Sequence, residues 1–247
     1  MSLETDVATL VTKTTQLIDY FNGKKAGIDA AVAAAIAAVP NNKKVFRIHQ
    51  QNGLDTNDGS IGAPLKTLDK ALANTPYGGI CEVYLQSDYS FSADINGLEG
   101  RYLTIRTDDL AAGKRSLRPA YQLNGAGAQM LASFPLFSGA MLNLREVKIV
   151  LPTANGVDPV PSGLNNCLVR SITTSTSMLV GLKMTDCEVS DLAGATAYLV
   201  GPGVAATLLE VVGTTFPTGF GGRYILNVPG GTNPATLNNV LTNLPAL

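Results

Sequence analysis

The sequence contains no tryptophan, one histidine and three cysteines among its 247 residues, and charged side chains make up only 15% of it. Each scarcity excludes a class of chemistry. His49 has no second histidine, cysteine cluster or clear acidic partner, so it reads as structural or solvent-facing rather than as a general base or metal ligand. Cys81, Cys167 and Cys187 are widely spaced and form no C-x-x-C pair, which argues against a zinc site or a disulfide framework and for buried free thiols. Without tryptophan, a sugar-stacking cleft would have to rely on tyrosine.

Strong net charge and long apolar runs are missing too. With 18 basic and 19 acidic residues the net charge is −1, which gives no field directed at nucleic acid or anionic membrane, and no nucleic-acid partner is expected. No apolar run approaches the roughly 20 residues that span a bilayer, and the N-terminus lacks the basic start and apolar core of a signal peptide. Synthesis in a cytosol without membrane insertion is expected. No G-x-S-x-G, P-loop, Rossmann glycine pattern or H-E-x-x-H occurs, and no cofactor is expected.

What the chain has is turn chemistry, in 25 glycines and 13 prolines, and two kinds of periodicity. From Leu3 to Val39 the period is seven: Leu3, Leu10, Leu17, Ala31 and Ala38 fall in one column, and Val7, Thr14, Phe21, Ile28 and Ala35 in the other. The register passes through Asn22-Gly23 without slipping, although Lys24 interrupts the first column; two helical pieces on one seam are expected. Such a helix must bury its stripe against the rest of the chain or against copies of itself, and self-association fits better. Pro40, followed by Asn41, Asn42, Lys43 and Lys44, predicts a break and a polar joint. Residues 1–44 are therefore read as a helical oligomerisation or stalk segment and 45–247 as the main domain.

The main domain opens with a strand at Val45–His49, Phe46 and Ile48 on one face. Residues 52–62 are rich in Asn, Asp and Gly and read as a repeatedly bending loop. A short helix is expected over 63–74, with Leu65, Leu68 and Leu72 on its apolar face. Short apolar runs then alternate with turn residues, and four of them align on Leu103, Leu142, Leu182 and Leu209, each a strand, a polar bend and a second strand. The pattern predicts a mainly β domain of stacked parallel strands, in which each turn buries its inward residues against its neighbours; a β-sandwich is the alternative. Tyr224–Val228 reads as a further strand, and 233–244 as a short C-terminal helix with Asn233 as N-cap and Pro234 at its first position.

The order Gly53-x-Asp55-x-Asn57-Asp58-Gly59, followed by Ala63-Pro64-Leu65-Lys66-Thr67-Leu68, resembles the N-terminal capping segment of pectate-lyase-like right-handed parallel β-helix proteins. With the helical region before it, the chain is similar to bacteriophage tail fibres and tailspikes. The resemblance implies a capping helix built on Leu65, Leu68 and Leu72, an α-helical trimerisation segment and a homotrimer located in the virion tail beside other tail proteins. It also implies binding of a bacterial surface glycan, lipopolysaccharide or surface protein for host adsorption. Polysaccharide depolymerisation, as a hydrolase or lyase, and a purely structural connector are the alternatives.

Depolymerisation needs two carboxylates facing one sugar linkage. Glu146 and Asp186 hold the same place in their repeats and would stack about 4.8 Å apart on neighbouring strands. Asp186 and Glu188 would share one face of a strand. Solvated polar bends account for these acids more simply, so catalysis is not expected, and the acids of the 52–62 loop are read as turn residues rather than as a metal site. Arg106, Arg145 and Lys183, just before the bends, are read as a basic ladder suited to anionic groups of a surface glycan.

Overall fold

The computed structural model describes residues 2–172 and 178–247, with the backbone alone for 37–41. It divides into two compact units, Met1–Asn42 and Lys43–Leu247.

The first unit is one continuous helix, α1 (Leu3–Asn41), where two pieces were expected. Gly23 and Gly27 each cost about 1 kcal/mol in a helix interior, too little to divide a segment that continues into a run rich in alanine, the best helix former. Pro40 lies inside the last turn instead of ending it; a proline forfeits one N–H there, but its φ is helical. Glu4 and Asp6 in the first turn suit the positive end of the helix dipole. The hydroxyls of Thr9, Thr12, Thr14 and Thr15 donate to the carbonyls four residues earlier. Every side chain from 2 to 36 is exposed, including Leu10 at 67% and Phe21 at 62%.

The second unit is mainly β and its large sheets are parallel. A seven-stranded sheet takes Lys43–Ile48, Ile80–Leu85, Tyr102–Thr107, Met141–Arg145, Leu179–Thr185, Ala206–Val212 and Val240–Thr242 in chain order. A second sheet holds Tyr89–Phe91, Arg115–Pro119, Val147–Leu151 and Glu188–Asp191, and a third Phe134–Leu136, Cys167–Ser171 and Tyr198–Gly201. In its central circuits the chain passes from the first sheet to the second, then the third, and returns to the first one strand further along. Parallel pairing throughout these three sheets is not the arrangement of an antiparallel β-sandwich. A hairpin of Tyr121–Leu123 and Gln129–Leu131 is antiparallel and sits between second-sheet and third-sheet strands of one circuit.

The repeat read from the sequence is the register of the first sheet. Leu103 pairs with Leu142, Leu142 with Leu182, and Leu182 with Leu209, all essentially fully buried. Ile105, Leu144, Met184 and Val211 form the next inward column. Each such side chain contributes about 1.5–3 kcal/mol by leaving water, and it can do so only against the circuits on either side.

Helix α2 (Leu68–Ala73) is shorter than the expected 63–74, because Thr67 is its N-cap and accepts from the Lys70 N–H at 3.2 Å. Leu65 belongs instead to an isolated parallel bridge with Ile48. Leu65, Leu68 and Leu72 are all fully buried in the core. The preceding loop is tied to the helix by Asp55, whose Oδ1 accepts from the N–H groups of Lys66 and Thr67 at 3.0 Å and whose Oδ2 accepts from the Thr67 hydroxyl at 2.9 Å.

The C-terminal expectation is corrected. Asn233 does cap and Pro234 does start a helical turn, but it is a 3-10 turn of three residues, Pro234–Thr236. Val240–Thr242 then pairs with Ala206–Val212: the open edge of the first sheet offers backbone partners that a lone C-terminal helix does not. The expected strand over Tyr224–Val228 reduces to a single bridge between Ile225 and Val200.

Candidate functional site

The outer face of the first sheet carries the three basic residues singled out from the sequence, Arg106, Arg145 and Lys183. Its side chains form columns across the strands, because parallel pairing sets equivalent residues side by side. One column runs Arg47, Tyr84, Arg106, Arg145 and Thr185. The next, two residues earlier in each strand, holds Glu82, Thr104, Asn143, Lys183 and Glu210.

In the first column Tyr84 lies between two guanidinium groups, Arg47 at 4.9 Å and Arg106 at 5.1 Å from the ring centre. Arg106 Nη2 is 2.7 Å from Glu146 Oε2, and Arg145 Nη2 is 3.3 Å from Glu146 Oε1. Burial opposes the charge on Arg106, but the hydrogen bond and attraction of Glu146 outweigh it and hold the guanidinium above its ordinary pKa. Burial likewise opposes ionisation of Glu82, yet hydrogen bonds from Lys43 and Tyr84 keep its carboxyl below its ordinary value. Arg47 approaches Asp108 at 3.6 Å.

The expected basic ladder is therefore shorter. Arg106 and Arg145 are aligned, but Lys183 pairs with Asn143, one column away, and its Nζ is 2.8 Å from Glu210 Oε1. The residue level with Arg145 in the next strand is Thr185. Arg106 is committed to Glu146 and to Tyr84, while the Arg145 side chain keeps 45% of its surface.

The two acids weighed as a catalytic pair, Glu146 and Asp186, do stand on neighbouring circuits. Glu146 and Asp186 occupy the bend between first and second sheets, with φ of 55° and 52°, and Gly213 follows at 58°. Polar residues recur here because the bend needs the left-handed backbone region, which Asp tolerates better than most and glycine adopts freely. Their side chains lean in opposite directions along the stack. Glu146 reaches back to Arg106 of the preceding circuit, whereas the Asp186 carboxylate lies over Gly213 of the following one, where an added Cβ would run into its Oδ1. They do not converge on a common point.

Nor do Asp186 and Glu188 share a face. The bend at Asp186 interrupts the alternation, and Glu188 opens a strand of the second sheet, 2.7 Å from Lys148 Nζ. Asp191 is held by both terminal nitrogens of Arg223, at 2.6 and 3.1 Å. Among the described residues no group of three His, Cys, Asp or Glu is placed to hold a metal ion, and no helix is long and apolar enough to cross a membrane. His49 accepts from the Asn52 N–H through Nδ1 at 3.2 Å, within the loop's own turn structure.

A third outer column runs Lys43, Ile80, Tyr102, Met141, Gly181, Leu208 and Leu241. The missing side chain at Gly181 opens a notch of about 250 Å³ between Tyr102 and Met141 on one side and Lys183, Leu208 and Glu210 on the other. The Met141 side chain leans over it, its Cε 2.8 Å from where a Cβ at 181 would stand.

No family model, curated protein or solved structure matches this chain. Sequence reasoning missed Arg47, Tyr84 and the Gly181 notch. The first two precede the aligned repeats, so their register was not readable, and the notch depends on what stands on either side of a glycine.

Proposed function

We propose that this chain is a component of a bacteriophage tail fibre or tailspike that binds a bacterial surface glycan, lipopolysaccharide or surface protein during host adsorption. In this reading α1 joins two further copies in a trimeric bundle, and the second unit is a right-handed parallel β-helix. The hand follows from strand chirality, since parallel strands of one sheet are linked by right-handed crossovers in about 98% of cases.

The observation that carries the reading is the exposed stripe of α1. Beside the two expected columns, Val11, Ile18 and Val32 form a third, exposed by 50–60%. A stripe three positions wide exceeds the two-position seam of a coiled-coil pair and suits a bundle of more helices. A helix this apolar on one side is poorly accommodated in water alone.

Binding without cleavage is favoured over depolymerisation. Glu146 and Glu188 are neutralised by neighbouring bases, and Glu146 and Asp186 diverge, whereas a glycosidase needs both carboxyl groups at one linkage.

Light scattering of the full chain tests the stalk: a mass of three 25.7 kDa chains is expected, and a mass of one chain would overturn the trimer. Incubation with capsule and lipopolysaccharide of candidate hosts tests the rest. Saturable binding without released fragments is expected, and fragment release would replace this reading with the depolymerase.

A further inference from the structure

Among the described residues two glycines lie inside strands, Gly181 and Gly201. A glycine weakens a strand, and it persists where the backbone conformation, close packing or an approaching ligand requires the missing side chain. At Gly201 packing accounts for it, since an added Cβ would run into Cys167 Sγ and Leu164 Cδ2. At Gly181 neither conformation nor packing does. Its φ lies outside the left-handed region, and the three atoms nearest to an added Cβ all belong to Met141, the closest being the flexible Cε. What this glycine supplies is the notch itself.

We propose that the Gly181 notch is the anchor point for a protein of the bacterial surface, which inserts one apolar side chain there and sets acidic residues around it. This rests on the reading that the chain binds a bacterial surface component, and it selects the surface protein among the three receptors named above. A volume of about 250 Å³ falls below the roughly 300–1,000 Å³ of pockets that enclose a drug-sized ligand, so the notch takes a single side chain. Its outward walls are Tyr102, Met141 and Leu208, and methionine repacks around whatever enters. A well-packed pocket at the centre of a polar rim is the usual seat of a binding hot spot. A sugar ring is matched less well. Met141 and Leu208 offer nothing to hydroxyl groups, and Lys183 and Glu210 are joined to each other at 2.8 Å, so those hydroxyls would lose water without gaining partners.

Charge sets what surrounds the anchor. On the strands of this face Lys43, Arg47, Arg106, Arg145 and Lys183 outnumber Glu82 and Glu210. Asp108 and Glu146 at the bends offset part of that excess, and the Arg145 side chain stays 45% exposed beside them. An acidic partner surface complements such a face better than a copy of the same face does.

The test measures binding of the full chain to outer-membrane vesicles of candidate hosts, to the same vesicles digested with a protease, and to purified lipopolysaccharide. Saturable binding to intact vesicles alone is expected. Gly181→Leu, which fills the notch, and Lys183→Glu, which reverses the charge at its rim, are each expected to weaken it at least about tenfold, and Arg118→Ala on the second sheet to leave it unchanged. Should Gly181→Leu lower the urea midpoint, Tyr102→Ala takes its place with the same expected loss. Equal binding to digested vesicles or to lipopolysaccharide overturns the inference and leaves the adsorption reading standing, as does full binding by the folded notch variants. A Gly181→Leu protein of unchanged urea midpoint but smaller mass than the parent assigns the notch to a contact between copies and also overturns the inference. Binding to none of the three overturns the adsorption reading and the inference with it.

Discussion

The side-chain amide of Asn243 completes the pairing of Val211 at the last full strand of the first sheet: Oδ1 accepts from the Val211 N–H at 2.8 Å and Nδ2 donates to the Val211 carbonyl at 2.7 Å. An amide carries a donor and an acceptor at the spacing of a peptide group, so this one side chain stands in for a further strand residue just after Val240–Thr242 ends. Val211 is almost fully buried, and its backbone groups have little water to fall back on. Asn243→Ala is expected to cost about 1–3 kcal/mol, the usual penalty for leaving buried backbone groups unpaired, read as a lower urea midpoint. Asn243→Asp keeps the acceptor but sets a carboxylate against the Val211 carbonyl, and is expected to cost at least as much.

Asp55 does for the first circuit what Asn243 does for the last. Its carboxylate accepts three hydrogen bonds from Lys66 and Thr67, which fixes the loop against the start of α2. Asp55→Ala is expected to lower stability by about 1.5–3 kcal/mol, the range for bonds to a charged group. Leu68→Ala, at a fully buried position, is expected to cost about 2–5 kcal/mol. Both are measured by urea unfolding, and an Asp55→Ala protein of unchanged stability would return the loop to consideration as a binding site.

The bend column yields opposite effects at adjacent circuits. Asp186→Gly relieves a left-handed residue and is expected to raise stability by up to about 1 kcal/mol. Gly213→Ala is expected to lower it by more than that, since the new Cβ meets both an unfavourable φ and the Asp186 carboxylate. Should Asp186→Gly instead abolish receptor binding in a folded protein, Asp186 would be a site residue rather than a turn residue.

The cysteines give a pH dependence. Burial pushes the Cys81 thiol up to about 11 and that of Cys167 up to about 12, and raises Cys187 as well. All three are expected to resist Ellman's reagent at pH 8 in the native protein and to react on unfolding. A thiol whose pKa is raised by folding favours the folded state while it stays protonated. Its contribution is full below the unfolded value near 9 and is lost as pH rises towards the folded values. Unfolding midpoints should therefore fall from about pH 9 upward, and a Cys81→Ala, Cys167→Ala variant should show a shallower fall.

The sequence by itself determined the seven-residue stripe of α1, the mainly β character of the rest, and the register of four strands of the first sheet. Leu103, Leu142, Leu182 and Leu209 could be aligned because each must be buried against the others, and burial leaves a periodic trace. Leu65, Leu68 and Leu72 were legible as core for the same reason. Tertiary structure alone decided where the polar groups go. The place of Lys183 is the exception: it follows Leu182 as Asn143 follows Leu142, so the leucine register already set it one column from Arg145, and only its bond to Glu210 came from packing. Asp186 and Glu188 parted because a left-handed residue turns the chain between them. The end of the chain became a strand because an open sheet edge stood beside it. A polar side chain satisfies itself with whatever partner lies within reach, and that partner is fixed by packing rather than by sequence distance.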